Sequence, residues 1–191
     1  MKVGVLALQG DVREHERALE GAGATPVEVR YPEEVDRVDA LVMPGGESTT
    51  IGKLLERFGL RAPIIERARS GMPLYGTCAG LILMATEVEG RHDAPHRMGL
   101  LDMTVQRNAY GRQTESFETD LIVRDMTDPF RAVFIRAPRV IDTGPDIDVL
   151  AAHDGDPVLV QRDHLLASTF HPEMTPDGRV HALFVDIARR S

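Results

Sequence analysis

Tryptophan is absent from this 191-residue sequence, cysteine occurs once, and only Lys2 and Lys53 interrupt an otherwise all-arginine set of basic residues. A single cysteine excludes an intramolecular disulfide and any multi-cysteine zinc site. No apolar run approaches the roughly 20 residues of a membrane helix. No basic-then-apolar leader opens the chain, so a cytoplasmic location is expected. The net charge of −8 leaves little positive field to attract nucleic acid. A P-loop is also missing: Gly52-Lys53 is present, but Glu47 stands where the first glycine belongs and Leu54 where the hydroxyl residue belongs. What remains, 42% hydrophobic and 27% charged residues, is the composition of a globular chain. The length suits one domain, 1–191, with no repeat, low-complexity stretch or linker to divide it.

The first 85 residues alternate strand and helix. Lys2–Leu8, Pro26–Arg30, Ala40–Met43 and Pro73–Tyr75 are short apolar runs of the kind buried on both faces of a parallel sheet. Between them, Asp11 and Glu14 have capping-box spacing, with Val12, Leu19 and Ala22 at helical intervals behind them. Ile51, Leu54, Leu55 and Phe58 mark one face of a helix from Ser48, which Ser48 and Thr49 are expected to cap. Further helices are expected at Ile64–Ala68 and Leu81–Ala85. The pattern then changes to strands at Met103–Gln106, Phe117–Val123, Ala132–Arg136, Val149–Ala152, Val158–Gln161 and Leu165–Thr169. A final helix, Val180–Arg190, follows. This order predicts an α/β fold with a mostly parallel central sheet, helices on both faces, and antiparallel additions in the C-terminal half.

The lone cysteine lies in Gly76-Thr-Cys78-Ala-Gly80, between an expected strand and an expected helix. That is the pattern of a nucleophile elbow, with cysteine in place of serine. Small neighbours are needed at so tight a turn, a helix N-terminus favours thiolate, and the N–H of Ala79 is placed to hold an oxyanion. The same spacing also fits a structural cysteine in a tight turn. A nucleophile needs a base and an orienting group. Among seven histidines, His171 stands out in Phe170-His-Pro-Glu173, directly after a strand. An extended segment there would put His171 and Glu173 on one side, completing a Cys78–His171–Glu173 triad. His15 reads as a partly buried surface residue. His153, His164 and His181 read as structural or exposed. His92 and His96 are four apart, but Asp93-Ala-Pro95 disfavours a helix between them, so no metal site is expected there.

The elbow and the His-Pro-Glu segment together resemble the triad (class I) glutamine amidotransferases. Pro44-Gly-Gly-Glu-Ser-Thr-Thr50, Arg107-Asn-Ala-Tyr-Gly-Arg-Gln113, Phe134-Ile-Arg-Ala-Pro138, Leu8-Gln-Gly10 and Arg13-Glu-His15 narrow the likeness to the glutaminase subunits of pyridoxal 5′-phosphate synthase. The resemblance runs from Val3 to Glu173. It implies a three-layer, flavodoxin-like fold and hydrolysis of L-glutamine to glutamate and ammonia without a cofactor or metal. It also implies ammonia transfer to a synthase partner whose double-ring core is decorated by glutaminase subunits. Glutamine would be bound by Gly46, Glu47, Ser48, Arg107, Ile135 and Arg136, with Ala79 and Gly46 forming the oxyanion hole. One arginine should clamp the α-carboxylate; Arg107 is taken first, with Arg136 the alternative and an ordinary surface ion pair the plainer account of either. Three other readings stay open: the glutaminase of another amidotransferase, a stand-alone γ-glutamyl hydrolase, and a non-catalytic module on the same fold.

Overall fold

The computed structural model describes residues 1–90, 96–107 and 116–191. In chain order the elements are β1 (Lys2–Leu6), α1 (Val12–Gly21), β2 (Thr25–Val29), α2 (Pro32–Val35), β3 (Ala40–Met43), α3 (Ser48–Arg57), α4 (Arg61–Arg69), β4 (Leu74–Thr77) and α5 (Ala79–Met84). There follow β5 (Ala85–Val88), β6 (Leu101–Gln106), β7 (Phe117–Leu121), β8 (Phe130–Phe134), β9 (Arg139–Thr143), β10 (Asp148–His153), β11 (Asp156–Arg162) and β12 (Leu165–Ser168). A 3-10 turn at Pro172–Met174 and helix α6 (Arg179–Arg190) end the chain.

Seven strands form the central sheet in the order β10-β11-β12-β4-β3-β1-β2. The five from β2 to β12 are parallel, and β11 and β10 extend them antiparallel. The parallel part has the flavodoxin-like order, in which ligands bind beyond the carboxyl ends of the strands. Alternation along each strand feeds two cores. Val3, Val5, Ala40, Val42, Tyr75 and Leu166 face a cluster completed by Leu19 of α1 and Phe184 of α6. Leu6, Leu41, Met43, Leu74, Leu165 and Ala167 face the opposite cluster, with Ile51, Leu55, Ile64 and Leu81 from α3, α4 and α5.

Three strand expectations change. The expected strands at Met103–Gln106, Phe117–Val123 and Ala132–Arg136 do not extend the central sheet. They lie in two small sheets, β5-β6-β9 and β7-β8, packed over its opposite faces. Their residues alternate buried and open, as in β6 and β8, which suits a covering layer with one wet face rather than a central strand. Strand β8 also stops at Phe134, because Arg136 turns into positive φ (47°). The capping box at α1 does not form: the Asp11 side chain makes no cap bond and is partly buried near Glu173 and His171 instead. Helix α3 is capped by Glu47, not by Ser48 or Thr49. The Glu47 carboxylate accepts from the backbone N–H of Thr49 (3.1 Å) and Thr50 (2.7 Å).

Candidate active site

Cys78 occupies the turn from β4 into α5, at the carboxyl edge of the parallel strands. Its backbone holds φ 48° and ψ −98°, a conformation that L-residues seldom adopt outside strained functional turns. The turn is possible because its neighbours lack bulk: a Cβ on Gly80 would land on the carbonyl oxygen of Met43. The Cys78 N–H donates to the Ser168 carbonyl (2.8 Å), and its carbonyl accepts from Ile82 in the first turn of α5 (3.2 Å). Ala79 begins that helix, where first-turn N–H groups have no partner within the helix.

Strands β4 and β12 pair with Thr77 opposite Ser168, so residues just beyond their ends become neighbours. His171 lies just past β12, tied by its N–H to the Val133 carbonyl (2.8 Å). A Cβ on Gly45 would meet both the His171 ring and the Cys78 side chain, which places the Gly45 backbone against the two reactive groups. The His171 Nδ1 is 2.7 Å from Glu173 Oε1, and both side chains are almost wholly buried. This contact forms through a 3-10 turn rather than the expected extended segment: Pro172 starts a tight turn that swings Glu173 back under the ring.

The electrostatics are those of an ion pair. Burial alone would lower the His171 pKa, but hydrogen bonds and charge from Cys78 and Glu173 outweigh it and raise the imidazolium to about 10. Burial likewise opposes ionisation of Glu173, yet His15 first and His171 next hold its carboxyl well below the ordinary range. Asp11 moves the other way, pushed up by burial and by the nearby Glu173 charge. Among the described residues, one grouping has metal-ligating atoms within 4.8 Å of one another: Asp11, His171 and Glu173. Two of its members are already bonded to each other.

The remaining sequence-derived residues gather around this centre in part. Arg107 donates to Glu47 Oε1 (2.9 Å) and Thr49 Oγ1 (3.0 Å), joining the Glu47–Ser48 segment. Ser48 is buried, and Glu47 is held down to about pKa 2: its bonds from Thr50 and Thr49 outweigh the opposing effect of burial. Gly46 has φ 147°, and the Glu47 N–H donates to Gln9 Oε1 (3.2 Å), so the Leu8-Gln-Gly turn braces the Gly45-Gly46 loop. The Ile135 carbonyl lies 3.9 Å from the Cys78 Sγ. Arg136 is exposed, with positive φ. Residues 108–113 of the Arg107–Gln113 motif and His92 lie outside the described residues. His96 is half-buried, with Nδ1 3.9 Å from Glu56.

Two residues carry more of the site than their sequence context suggests. His15 is fully buried, not a surface residue, and so is His181. The signal was available: His15 lies three residues after Val12 and four before Leu19, on the same apolar stripe of α1.

A profile of the SNO glutamine amidotransferase family matches residues 5–189. Proteins named "Pyridoxal 5′-phosphate synthase subunit PdxT" are among the relatives. The one from Rhodococcus jostii is 55% identical, covering 98% of this chain and 96% of its own length. The Niallia circulans relative is 51% identical over the whole of both chains, and the Thermotoga sp. relative is 48% identical over 99% of this chain and all of its own. A crystal structure of a glutamine amidotransferase superposes with TM-score 0.92 at 48% identity, covering 98% of each chain. The structure of PurLQS from Thermotoga maritima, 18% identical, covers 99% of this chain and 95% of its own with TM-score 0.69, a likeness of fold alone. A family profile spanning nearly the whole chain and relatives of about half-identical sequence agree: the chain belongs to the SNO glutamine amidotransferase family.

Proposed function

We propose that this chain is a glutaminase that releases ammonia from L-glutamine and supplies it to a pyridoxal 5′-phosphate synthase. It would act as one domain over residues 1–191. The observation that carries the reading is His171, held between Cys78 and the buried Glu173 carboxylate. Cys78 attacks the side-chain amide carbon of glutamine as thiolate. The oxyanion that forms is met by the N–H of Ala79 and by the Gly46 loop. The His171 imidazolium gives its proton to the leaving ammonia. The neutral ring then takes a proton from water, which hydrolyses the thioester to glutamate and restores the thiolate. Glu173 holds the ring orientation throughout and balances its charge.

Substrate recognition is assigned to Gly46, Glu47, Ser48, Arg107, Ile135 and Arg136. Arg107 supports its part by lying in the segment that the Glu47 carboxylate anchors, with a guanidinium able to grip an α-carboxylate bidentately. The relatives' names describe one component of a synthase, and this supports a synthase partner; the assembly proposed for it is a hetero-oligomer with a double-ring synthase core, in the cytoplasm. No described helix is long and apolar enough to cross a membrane.

The test is a glutamine hydrolysis assay on this chain with and without the pyridoxal phosphate synthase partner, beside Cys78→Ala. Turnover should rise on adding the synthase, and Cys78→Ala should lose about 10³-fold or more in kcat. Full activity without the synthase would overturn the reading of this chain as part of a complex. Near-normal turnover in Cys78→Ala would overturn the mechanism.

A further inference from the structure

Glu173 receives more than His171. Its Oε1 lies 3.4 Å from the His15 Nε2, and both side chains are fully buried. The same His15 nitrogen lies 3.4 Å from the Thr77 hydroxyl, in the residue before the elbow cysteine. On the other side of the ring, the His15 Nδ1 is 2.9 Å from the His181 Nε2. The His181 Nδ1 is buried and has no hydrogen-bond partner among the described residues.

These contacts fix where the protons sit. A buried N–H without an acceptor is rarer and more costly than a buried lone pair without a donor. The orphaned His181 Nδ1 therefore carries no hydrogen, and the His181 proton is on Nε2. That N–H donates to the His15 Nδ1, which must then be the acceptor, leaving the His15 proton on Nε2. Two oxygens lie within reach of that Nε2–H, Glu173 Oε1 and Thr77 Oγ1, each 3.4 Å from the nitrogen. Burial keeps the first link in place: it holds the His181 ring's pKa down at about 3, so that ring stays neutral.

We propose that His15 is a positioning residue for the triad: its Nε2–H steadies the Glu173 carboxylate that orients His171, and His181 sets the His15 tautomer. The inference rests on the Cys78–His171–Glu173 reading above. It deepens that reading by extending the site from the edge of the sheet to α1 and α6. Three further groups bear on Glu173. Asp11, before α1, is partly buried and repelled by it. Tyr75 of β4 is raised well above its ordinary value chiefly by burial, with the Glu173 charge adding to this. His171 bonds to it directly. Among the described residues, His171 and His15 are the two groups that bring a donor to Oε1, while Oε2 has none. Removing the His15 N–H leaves a buried carboxylate with one donor, so the group protonates more readily and holds the imidazolium less firmly.

The experiment follows glutamine hydrolysis by the chain in complex with the synthase, measured from roughly pH 6 to 11. His15→Leu should lose roughly tenfold or more in kcat, keep KM within about twofold, and move the alkaline limb of the kcat profile, set by loss of the His171 imidazolium proton, down by about one pH unit. His15→Gln places an N–H near the Nε2 position and should restore the alkaline limb. His15→Asn, which reaches only toward His181, should not. Wild-type kcat and an unmoved limb in His15→Leu would overturn the proposal. Equal losses in all three variants with an unmoved limb would assign His15 to packing alone and overturn it too. A second measurement needs no variant: imidazole ¹⁵N spectra of the wild-type chain should show His15 and His181 protonated on Nε2, and a His15 protonated on Nδ1 would refute the assignment. Absence of glutaminase activity in the wild-type complex would sink the reaction itself, while the spectra would still decide the tautomers.

Discussion

Cys78 sits at a backbone position better suited to glycine than to any side chain. Its φ of 48° with ψ of −98° carries a strain of about 1–3 kcal/mol, which the surrounding bonds to Ser168 and Ile82 hold in place. The nucleophile is thereby lifted clear of the strand that precedes it. A consequence can be measured without any activity assay. Cys78→Ala and Cys78→Gly both remove the thiol, but only glycine releases the strain. The glycine variant should be the more stable of the two by about 1 kcal/mol in denaturant unfolding, the reverse of the usual alanine-over-glycine order at helix positions. Equal stability, or a more stable alanine variant, would show that the turn holds Cys78 without strain.

Helix α3 illustrates how an element serves the site. Its N-terminus would leave several N–H groups unpaired, and the Glu47 carboxylate accepts two of them along with the Thr50 hydroxyl (2.8 Å). The same carboxylate takes the Arg107 guanidinium, so one side chain both starts the helix and ties down a proposed substrate residue. Glu47→Ala should lower stability by about 1 kcal/mol, read as a drop in the midpoint of denaturant unfolding. No change in that midpoint would mean that water caps the helix equally well. Several elements are readable directly from their residues. The stripe Ile51, Leu54, Leu55, Phe58 is enough to place α3, and Val180, Leu183, Phe184, Ile187 to place α6. The elbow and His171 are legible because the chemistry requires particular residues at short spacing. Strands β5 and β9 are not legible, since each buries few side chains and exists by pairing with β6. The Glu47 cap is hidden by two better-known capping residues that follow it. The role of His15 is hidden because its partners, Glu173 and His181, lie on elements folded against it from the far end of the chain.

Across the whole molecule, two buried histidines set opposing pH limits on stability. His181 has its pKa lowered to about 3 from 6.5, so between these values the unfolded chain binds a proton that the native one refuses. Stability is therefore full above pH 6.5 and falls as the pH drops toward 3, by about 1.4 kcal/mol per pH unit from this group. His171, raised from 6.5 to about 10, acts with the opposite sign: its contribution is complete below 6.5 and is lost as pH rises toward 10. Denaturant unfolding at a series of pH values should show a shallower acid slope in His181→Gln than in the wild-type chain. An unchanged slope would show that His181 is not the group responsible.

The pairing of β4 with β12 has a further consequence in time. β12 lies between β4 and β11, so the edge of β4 on that side stays open until the second half of the chain has been made. During synthesis Cys78 emerges early, while the imidazole and carboxylate proposed to activate it come from residues just past β12. A growing chain that has not reached β12 holds a cysteine with no base beside it. On the proposed mechanism, ammonia release begins only once this long-range strand insertion is complete, so unfinished chains cannot hydrolyse the cell's glutamine.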